Sequence, residues 1–265
     1  MEYLFYLSVG AIAGLISGLF GLGGGAVIVP LLIFAFSARG ISTEVATHLA
    51  IGTSLATIIF TALSSIYTHH QKNGIRWDLV KTMAPGILLG AWLGGLFAVS
   101  LQAVILQLLF GGFMVLVALQ LLIYQPKVGI KPMPRPVAMG LVGSAIGSIS
   151  ALFGIGGGTL TTPFLTFFGI RIHQAVGTAA ACGLPIALAA TYVYATANVT
   201  AANLPAGSLG YVFMPAWLGI ILASLPCARL GALLAHRVDG RQLRICFGWL
   251  LMALGIRFIW INLSA

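Results

Sequence analysis

Long apolar segments, most of them about as long as a membrane-spanning helix, alternate with short polar breaks along the whole chain. The first half contains apolar stretches at residues 3–36, about 44–67, about 79–99 and 104–124, and the second half continues in the same way. The first stretch is too long for one crossing, because a continuous helix over it would extend about 50 Å through a hydrocarbon core of about 30 Å. The pattern therefore predicts an all-α integral membrane protein whose first segment is interrupted.

A run of glycines interrupts that first segment, with the sequence Gly-Leu-Gly-Gly-Gly at residues 21–25. A second run, Gly-Ile-Gly-Gly-Gly, occupies residues 154–158, and each run follows a Phe and precedes a Pro by five residues. Glycine is a poor residue for a helix interior, because its backbone loses the most entropy on ordering. Helices broken at membrane depth are tolerated only against protein or a polar cavity, so two such breaks indicate the binding site of a transporter.

The second half of the chain repeats the first. Five residues of the first half recur 133 positions later, namely Gly10, Gly14, Phe20, Gly21 and Pro30. Later blocks match at offsets of 131, 130 and 137. The pattern predicts a duplication, with repeat 1 at residues 1–124, a cytoplasmic Pro- and Lys-rich linker at 125–136, and repeat 2 at 137–265.

Positive charges favour one of two ways of threading the repeats through the membrane. If each glycine-broken segment crosses, eight crossing helices form a 4+4 duplication and the loop cations divide six against five. If each broken segment is a re-entrant hairpin, ten loop cations share one side and only Arg39 opposes them. Cytoplasmic loops are rich in Lys and Arg, so we expect two inverted repeats, each a glycine-broken helical hairpin plus three transmembrane helices. Loops 68–82, 125–136 and 236–244 would then be cytoplasmic.

Composition agrees with a membrane location. Of the 265 residues, 60% are hydrophobic and 6% are charged, whereas soluble domains carry about a quarter charged residues. The net charge of +9 lies mostly in loops between apolar segments, which does not indicate nucleic-acid binding. The three cysteines lack metal-ligand spacing, and the amino terminus lacks the basic region of a cleavable signal. We expect a multi-pass protein of the bacterial plasma membrane, with no cofactor and no metal.

Each glycine run offers backbone N–H groups to an anion. A helix that restarts after the glycines, at Ala26 or Thr159, has N–H groups without helical partners and the positive end of its dipole at that point. Glycine lets an anion approach closely, and two inverted hairpins would present two such helix starts near the midplane. The predicted substrate-binding residues belong to the two runs and to the position directly after each: Gly21, Gly23, Gly24, Gly25 and Ala26, with Gly154, Gly156, Gly157, Gly158 and Thr159.

Close helix packing is the alternative role for glycines in a membrane protein. Two series have the four-residue spacing that such packing needs: Gly10, Gly14 and Gly18, and Gly86, Gly90 and Gly94. The two glycine runs fit packing less well, because they place three glycines in succession. Residues 21–26 also match the dinucleotide pattern G-x-G-x-x-G/A, but they lack the strand–turn–helix context that the pattern requires.

Polar side chains near the glycine runs are further candidates for the substrate site. Thr47, Thr53 and Thr178 could donate to an oxyanion, or they could bond carbonyls of their own helices. Cys182 could line the site or simply pack. His48 is a candidate carrier of a coupling proton, and the alternative is a satisfied interface histidine.

Charged side chains within the spans are rare. Arg257 lies well inside the last segment, and an intramembrane arginine is a functional candidate by default, although it could instead pair with a carbonyl or an acid. Arg229 lies near the end of its helix and can snorkel to the interface. The chain has only four acids, and no acid–base pair or metal cluster of a membrane-embedded enzyme is visible.

The motifs together resemble the sulfite exporter TauE/SafE family. The similarity lies in the two copies of Phe-Gly-x-Gly-Gly-Gly with a Pro five residues on, and in the segments Val-Ala-Thr-His-Leu-Ala-Ile-Gly-Thr-Ser-Leu and Ala-Val-Gly-Thr-Ala-Ala-Ala-Cys-Gly that come after them. The segment Leu-Gly-Ala-Leu-Leu-Ala-His-Arg-Val-Asp-Gly-Arg-Gln-Leu-Arg near the end is also similar. The resemblance implies a plasma-membrane permease for small sulfur-containing anions, such as sulfite or organosulfonates, that often acts as an exporter. Residues 182–185, Cys-Gly-Leu-Pro, depart from the usual Gly-Thr-Ser-Leu, which concerns substrate identity rather than fold.

These observations predict a secondary transporter, an exporter of small sulfur oxyanions that works by alternating access between its two halves. A passive anion channel is the alternative, and a membrane-embedded enzyme is a further one. The expected partners are the anion and the lipid bilayer, with no nucleic acid.

Overall fold

Helices form nearly all of the described chain. The structure is a computed structural model, and it describes residues 2–20, 25–123, 133–197, 204–235 and 240–263. Within these residues the helices and the two short strands are α1 (Glu2–Phe20), α2 (Gly25–Ser37), α3 (Thr43–Gln71), α4 (Trp77–Ser100), α5 (Ala103–Ile123), α6 (Pro136–Phe153), α7 (Gly158–Phe167), α8 (Ile172–Ala195), β1 (Ser208–Leu209), β2 (Val212–Phe213), α9 (Met214–Ala235) and α10 (Gly240–Leu263). The strands form an antiparallel hairpin just before α9.

Six helices in the described part of the chain are long and apolar enough to cross a membrane. They are α3, α4, α5, α6, α8 and residues 245–263 of α10, and three shorter apolar helices lie at residues 5–16, 25–37 and 214–230. This confirms the expected all-helical integral membrane protein. Six is also the number of crossings expected from the charges, but the six helices are not the same ones. The long helices include α6, which belongs to a glycine-broken segment, whereas α9, an expected crossing, is among the shorter helices.

Both glycine runs fall between two helices. Helix α6 ends at Phe153 and α7 begins at Gly158, while α2 begins at Gly25, so each new helix starts one residue earlier than expected. Residues 21–24 of the first run lie outside the described residues. Helices α2 and α7 have 13 and 10 residues. They are therefore about 20 Å and about 15 Å long, which is too short for either to cross alone.

Glycines allow α4 to pack closely on α6 and α1 to pack closely on α9. The contacts between α4 and α6 are Gly86–Gly140, Gly90–Ser144 and Gly94–Ser148, and those between α1 and α9 are Gly10–Ile220 and Gly14–Ser224. Residue numbers rise together in each pair of helices, so both pairs are parallel. A Cβ on Gly14 would lie 2.6 Å from Ser224 Cα, and the other four glycines are equally enclosed. The packing role predicted for these five glycines is confirmed.

Two further helix pairs are antiparallel. Helix α3 runs against α8 through the contacts Gly52–Tyr194, Ile58–Ala187 and His69–Gly177. Helix α5 runs against α10 through the contacts Gly111–Gly255 and Gly248–Leu122. Helix α2 packs on α3, and α7 packs on α8. The two short helices that begin at the glycine breaks are therefore held by the two helices at the centre of the bundle.

The two ends of the bundle differ in their residues. One end, here called the cationic end, contains the links at residues 72–76 and 168–171 with Lys72, Arg76 and Arg171. The opposite end, here called the aromatic end, contains a cluster of rings and one arginine: Tyr6, Phe36, Phe213 and Arg39. In that cluster the Arg39 guanidinium donates to the Tyr6 hydroxyl.

Candidate functional site

The second glycine break has a tightly turned backbone. Helix α6 is capped by Gly154, which has a left-handed φ of 66°, a conformation that glycine adopts without a steric cost. The N–H groups of Gly154 and Ile155 both donate to the carbonyl oxygen of Ser150. The chain then passes through Gly156 and Gly157 into α7. The carboxyl end of one helix and the amino end of the next thus meet within a few residues.

The start of α2 packs directly against this second break. A Cβ on Gly25 would overlap the carbonyl oxygen of Gly154 and would lie 2.8 Å from Ile155 Cα. The buried Ser54 side chain of α3 stabilises the contact, because its hydroxyl donates to the Gly154 carbonyl oxygen at 2.9 Å. Gly154 also packs on Ile51 of α3. The ends of the two broken segments therefore form one junction in the centre of the bundle, with α3 as its third wall.

A cavity of about 320 Å³ extends from this junction toward the cationic end. Its inner surface includes Gly156, Gly157 and Gly158, and its walls come from α1, α2, α3, α8 and α9. The side of α3 that faces the cavity carries four hydroxyls, here called the hydroxyl stripe: Thr61, Ser64, Ser65 and Thr68. His69 and Arg229 line the far end, where the exposed Thr68 and Arg229 open the cavity to the outside of the bundle.

The inner surface of the cavity favours negative charge. Within the described residues, the N–H groups of Gly156 and Gly157 donate to no other group. The first N–H groups of α7 carry the positive end of its dipole, and at glycine no Cβ covers them. Among the described residues that line the cavity none is acidic, and Arg229 adds a positive charge. In the hydroxyl stripe, Thr61 and Thr68 donate to the carbonyl oxygens of Ile58 and Ser64, so the donors left for an anion are the hydroxyls of Ser64 and Ser65. Backbone N–H groups and these hydroxyls together can hold a small anion here.

Two buried hydroxyls flank the second break without a hydrogen-bond partner in the described part of the chain. They are Ser150 Oγ, in the last turn of α6, and Thr161 Oγ1, in the first turn of α7. Buried hydroxyls in proteins are nearly always bonded. These two therefore have unused donor capacity close to the glycines.

A comparison with known proteins assigns the chain to a family. The family model described as "Sulfite exporter TauE/SafE" matches residues 6–258. The chain belongs to the TauE/SafE family. A protein of Haemophilus influenzae named "Probable membrane transporter protein" is 35% identical over 255 residues, which are 96% of each chain.

Two more distant relatives have similar names. A probable membrane transporter protein of Methanocaldococcus jannaschii is 28% identical over 256 residues, covering 94% of this chain and 92% of the relative. The probable membrane transporter protein YunE of Bacillus subtilis is 32% identical over 196 residues, covering 62% of this chain and 67% of YunE. No solved structure matches the chain significantly. The TauE/SafE chain is thus a multi-pass membrane protein whose relatives are named as transporters.

The structure of this TauE/SafE protein brings together only some of the residues predicted for the substrate site. The glycines of the second run that line the cavity are Gly156, Gly157 and Gly158, and Thr159 is buried beside them. Gly25 is sealed against Gly154, and Ala26 is buried. Three predicted residues of the first run lie outside the described residues: Gly21, Gly23 and Gly24.

Thr178 and Thr53 accept hydrogen bonds from backbone N–H groups just before two other helices begin. Thr178 Oγ1 accepts the N–H of Arg76 at 3.0 Å, just before α4 begins. Thr53 Oγ1 accepts the N–H of Phe213 at 3.0 Å, just before α9 begins. Both threonines are fully buried. In this conformation they hold neighbouring segments against α3 and α8, and neither lines the cavity.

Thr47 belongs to a polar network between α3, α5 and α10. Its hydroxyl donates to the Thr43 carbonyl oxygen at 2.8 Å and accepts from Gln107 Nε2 at 2.6 Å. Asn262 Nδ2 completes the network by donating to Gln107 Oε1 at 2.8 Å. Buried polar networks of this kind fix the register of neighbouring helices, so Thr47 has a structural role here although the repeat makes it equivalent to Thr178.

The other three predicted residues do not line the cavity. Cys182 is buried next to Gly183, a cavity residue. Arg257 is exposed on α10, with its guanidinium carbon 4.3 Å from the centre of the Phe34 ring, so its partner is an aromatic face. His48 is buried between α3 and α4, toward the aromatic end.

The sequence-based expectations missed the hydroxyl stripe and the location of Arg229. A sequence signal for the stripe exists, because its hydroxyls recur at spacings of three and four in an otherwise apolar helix. Such a stripe on a membrane helix faces protein or a cavity rather than lipid. No comparable signal points to Arg229, which lies near the end of α9 and fits simple snorkelling equally well.

Proposed function

We propose that the protein is a secondary transporter that exports small sulfur oxyanions, such as sulfite or organosulfonates, by alternating access. Membership of the TauE/SafE family and the names of the relatives support the general class. One observation carries the site: a cavity reaches the uncovered N–H groups of Gly156 and Gly157 from one end of the bundle. The anion would bind there, and by the repeat also at the start of α2.

A site of this composition suits a carrier. Hydrogen bonds to a charged group contribute about 1.5–3 kcal/mol each. Three or four donors from the second glycine run and the hydroxyl stripe would hold an oxyanion without a buried ion pair. The positive charge of the α7 dipole is spread over several N–H groups. Release would then not require the separation of two opposite full charges in a medium of low dielectric constant.

The helix pairings support two inverted repeats, with the halves at residues 1–124 and 137–265 and the linker at 125–136. Exchanging the halves replaces α1 by α6, and α9 by α4. The exchange then turns the pair α1–α9 into the pair α6–α4, and it leaves the pairs α3–α8 and α5–α10 unchanged. Two halves of similar structure, related by a two-fold axis, would produce this exchange.

Helix directions support a re-entrant course for both broken segments. Helix α6 is parallel to α4, and α8 is antiparallel to α3, so α6 and α8 both begin at the cationic end. Helix α7 would therefore return the chain to the side on which α6 began. At the aromatic end, Tyr6 near the start of α1 touches Phe36 near the end of α2. Each half would keep three true crossings.

The cationic end would face the cytoplasm. Lys72, Arg76, Arg135 and Arg171 lie at that end, and Arg39 lies at the other, which is the distribution expected from the positive-inside rule. The cavity then opens to the cytoplasm, where an exporter loads its substrate.

Replacement of Gly156 tests the site. A Cβ there would meet only Ile58 Cγ2 at 3.6 Å and Cδ1 at 4.0 Å, so Gly156→Ala should fold normally while its methyl group covers the neighbouring N–H groups. We expect saturable sulfite counterflow in proteoliposomes to fall at least about tenfold, in line with the loss of one charge-assisted hydrogen bond.

Gly157→Val should abolish sulfite binding. The matched control is Gly112→Ala, where nothing lies within 4 Å of the added Cβ. Unchanged sulfite affinity in folded Gly156→Ala and Gly157→Val would refute the site.

The same proteoliposomes separate a carrier from a passive anion channel. A carrier gives saturable uptake that is accelerated by substrate on the opposite side, whereas a channel gives a current proportional to voltage. We expect counterflow, and an ohmic sulfite current would overturn the alternating-access part of the proposal.

Accessibility labelling tests the course of the broken segments. Single cysteines replace Ser42, Lys72 and Arg171, all exposed in the links, in a background with Cys227→Ser and Cys246→Ser. With re-entrant hairpins, Arg171→Cys reacts from the same side as Lys72→Cys and from the opposite side to Ser42→Cys. If both broken segments cross the membrane, Arg171→Cys reacts together with Ser42→Cys instead.

A further inference from the structure

Thr161 of α7 differs from five other helical threonines in what its hydroxyl contacts. Those five donate their hydroxyl to the carbonyl oxygen four residues earlier in the same helix: Thr47, Thr57, Thr68, Thr82 and Thr166. Thr161 is fully buried, and its Oγ1 has no hydrogen-bond partner among the described residues. A carbonyl oxygen four residues earlier is available to Thr161 as well, but its side chain does not bond to it.

A buried hydroxyl without a partner lowers the stability of a fold. The hydroxyl gives up its hydrogen bonds to water on burial, and no group of the described protein replaces them. A valine side chain has nearly the same shape and no polar atom to satisfy, so it avoids this cost. Unpaired buried groups are rare in proteins, and a bound ion is one of the partners that explain them.

Thr161 follows the second glycine break on one face of α7. Residues three and four positions apart in a helix share a face, so Gly157 and Gly158 precede Thr161 on its own face. The first turn is formed, because Gly157 has a helical φ of −56° and ψ of −15° and its carbonyl oxygen accepts the Thr161 N–H at 2.8 Å. The Cα–Cβ bond of a helical residue tilts toward the amino end, so the Thr161 side chain leans toward the two glycines.

No side chain of α7 separates Thr161 from the cavity along this face. Both residues that precede it there are glycines, Gly157 and Gly158, and both line the cavity. Helix α8 forms the opposite wall, because a Cβ on Gly157 would lie 3.2 Å from the Ala179 carbonyl oxygen and 3.2 Å from Ile186 Cδ1. An anion at the N–H of Gly157 would therefore lie within about one helical turn, about 5 Å, of the Thr161 residue.

We propose that Thr161 is a ligand of the transported oxyanion, and that its hydroxyl donates to an oxygen of the anion held at the N–H of Gly157. Sulfite and sulfonates carry three oxygens, so one oxygen can accept from the glycine N–H groups while another accepts from Thr161. This role rests on the proposed transport function and adds a side-chain donor to the same site.

Thr161→Val tests this role, because valine removes the hydroxyl and keeps nearly the same shape. Binding of sulfite and of methanesulfonate is measured in lipid nanodiscs, as the rise of the thermal transition with anion concentration. We expect the affinity for both anions to fall at least about tenfold in Thr161→Val, as for the loss of one hydrogen bond to a charged group. Thr161→Ser, which keeps a hydroxyl, should bind both anions nearly as wild type does. The transition of Thr161→Val without anion should be unchanged or higher, because an unpaired buried group is removed.

Thr57→Val is the matched control. Thr57 is equally buried, but its hydroxyl donates to the Thr53 carbonyl oxygen at 2.9 Å, and it does not line the cavity. We expect this variant to have a lower transition without anion, because a formed hydrogen bond is lost, and an unchanged affinity for both anions.

Two outcomes overturn the role of Thr161. If Thr161→Val lowers the anion-free transition as much as Thr57→Val does, the Thr161 hydroxyl has a structural partner, such as an ordered water. If Thr161→Val binds both anions with wild-type affinity, Thr161 is not a ligand, and the transport proposal stands without it. If the wild type binds neither anion, the proposed function itself fails, and Thr161 has no anion to bind.

Discussion

The two glycine breaks share one sequence motif, and their described glycines lie in different surroundings. The described end of the first run, Gly25, is sealed against Gly154 and Ile155. In the second run, Gly156 and Gly157 line a cavity and their N–H groups have no partner among the described residues. Glycines of the same motif are therefore either sealed or open to a cavity, according to the segments that pack on them.

The two ends of the bundle also differ, because a cavity opens at one end and aromatic rings pack tightly at the other. The cavity opens beside Thr68 and Arg229 at the cationic end. At the aromatic end, the rings of Tyr6, Phe36 and Phe213 pack edge to face with centres 5.8–6.4 Å apart, and all three residues are buried. In the proposed transport cycle this is the conformation open to the cytoplasm. The opposite conformation would separate these rings and open a path from the aromatic end.

The largest effect is expected where the breaks touch. In Gly25→Ala, the added Cβ overlaps the Gly154 carbonyl oxygen and crowds Ile155 Cα, both of which are backbone atoms that do not move easily. We expect a destabilisation of about 3 kcal/mol or more, visible as a lower thermal transition in detergent or as failure to purify a folded protein. Gly156→Ala should keep the wild-type transition. Equal transitions for the two variants would contradict the difference between the breaks.

A smaller effect is expected at the cavity mouth. Arg229→Gln removes a cation from the cavity lining, and a charge at a cleft entrance raises the rate at which counter-ions arrive. We expect initial sulfite flux at subsaturating concentration to fall about tenfold at low salt, and less at high salt. Arg257→Gln is the matched control, because Arg257 lies over Phe34 away from the cavity. A larger loss in Arg257→Gln would move the site away from the second break.

The smallest effects separate hydroxyls that bind from hydroxyls that hold the fold. Ser64→Ala removes a cavity hydroxyl, and we expect a two- to fivefold weaker apparent sulfite affinity with unchanged stability, which corresponds to one hydrogen bond of about 0.5–1 kcal/mol. Thr178→Val removes the acceptor of the Arg76 N–H, and we expect about 1–2 kcal/mol lower stability with unchanged affinity. If instead Thr178→Val weakens the sulfite affinity and Ser64→Ala lowers the stability, the binding hydroxyls lie on α8.

Much of the architecture could be predicted from local features. Segment length and composition predicted the membrane helices, and the glycine runs predicted the helix breaks at α2 and α7 to within one residue, because backbone entropy acts locally. Four-residue glycine spacing predicted close packing by α1 and α4, although not that their partners would be α9 and α6. The repeat and the re-entrant course stay predictions, now supported by helix pairings and directions.

The side chains of the site could not be predicted in the same way. Thr47, Thr53 and Thr178 lie in the helices that come after the breaks. The hydroxyl of each accepts a hydrogen bond from a residue more than 50 positions away in the chain. Arg257 lies within a span by sequence, but it is exposed and its partner is Phe34. The hydroxyl stripe and Arg229 line the cavity although neither was expected to do so.

The sequence by itself determined that this protein lies in a membrane, where its helices break, and to which family it belongs, since apolar length, glycine and motif order are properties of the chain alone. Only the tertiary structure decided that the second break lines a cavity, and which hydroxyls are free to meet a solute. The physical reason is that solute access and hydrogen-bond partners depend on helices brought together from distant parts of the chain. The sequence of one segment does not specify which helices will pack against it.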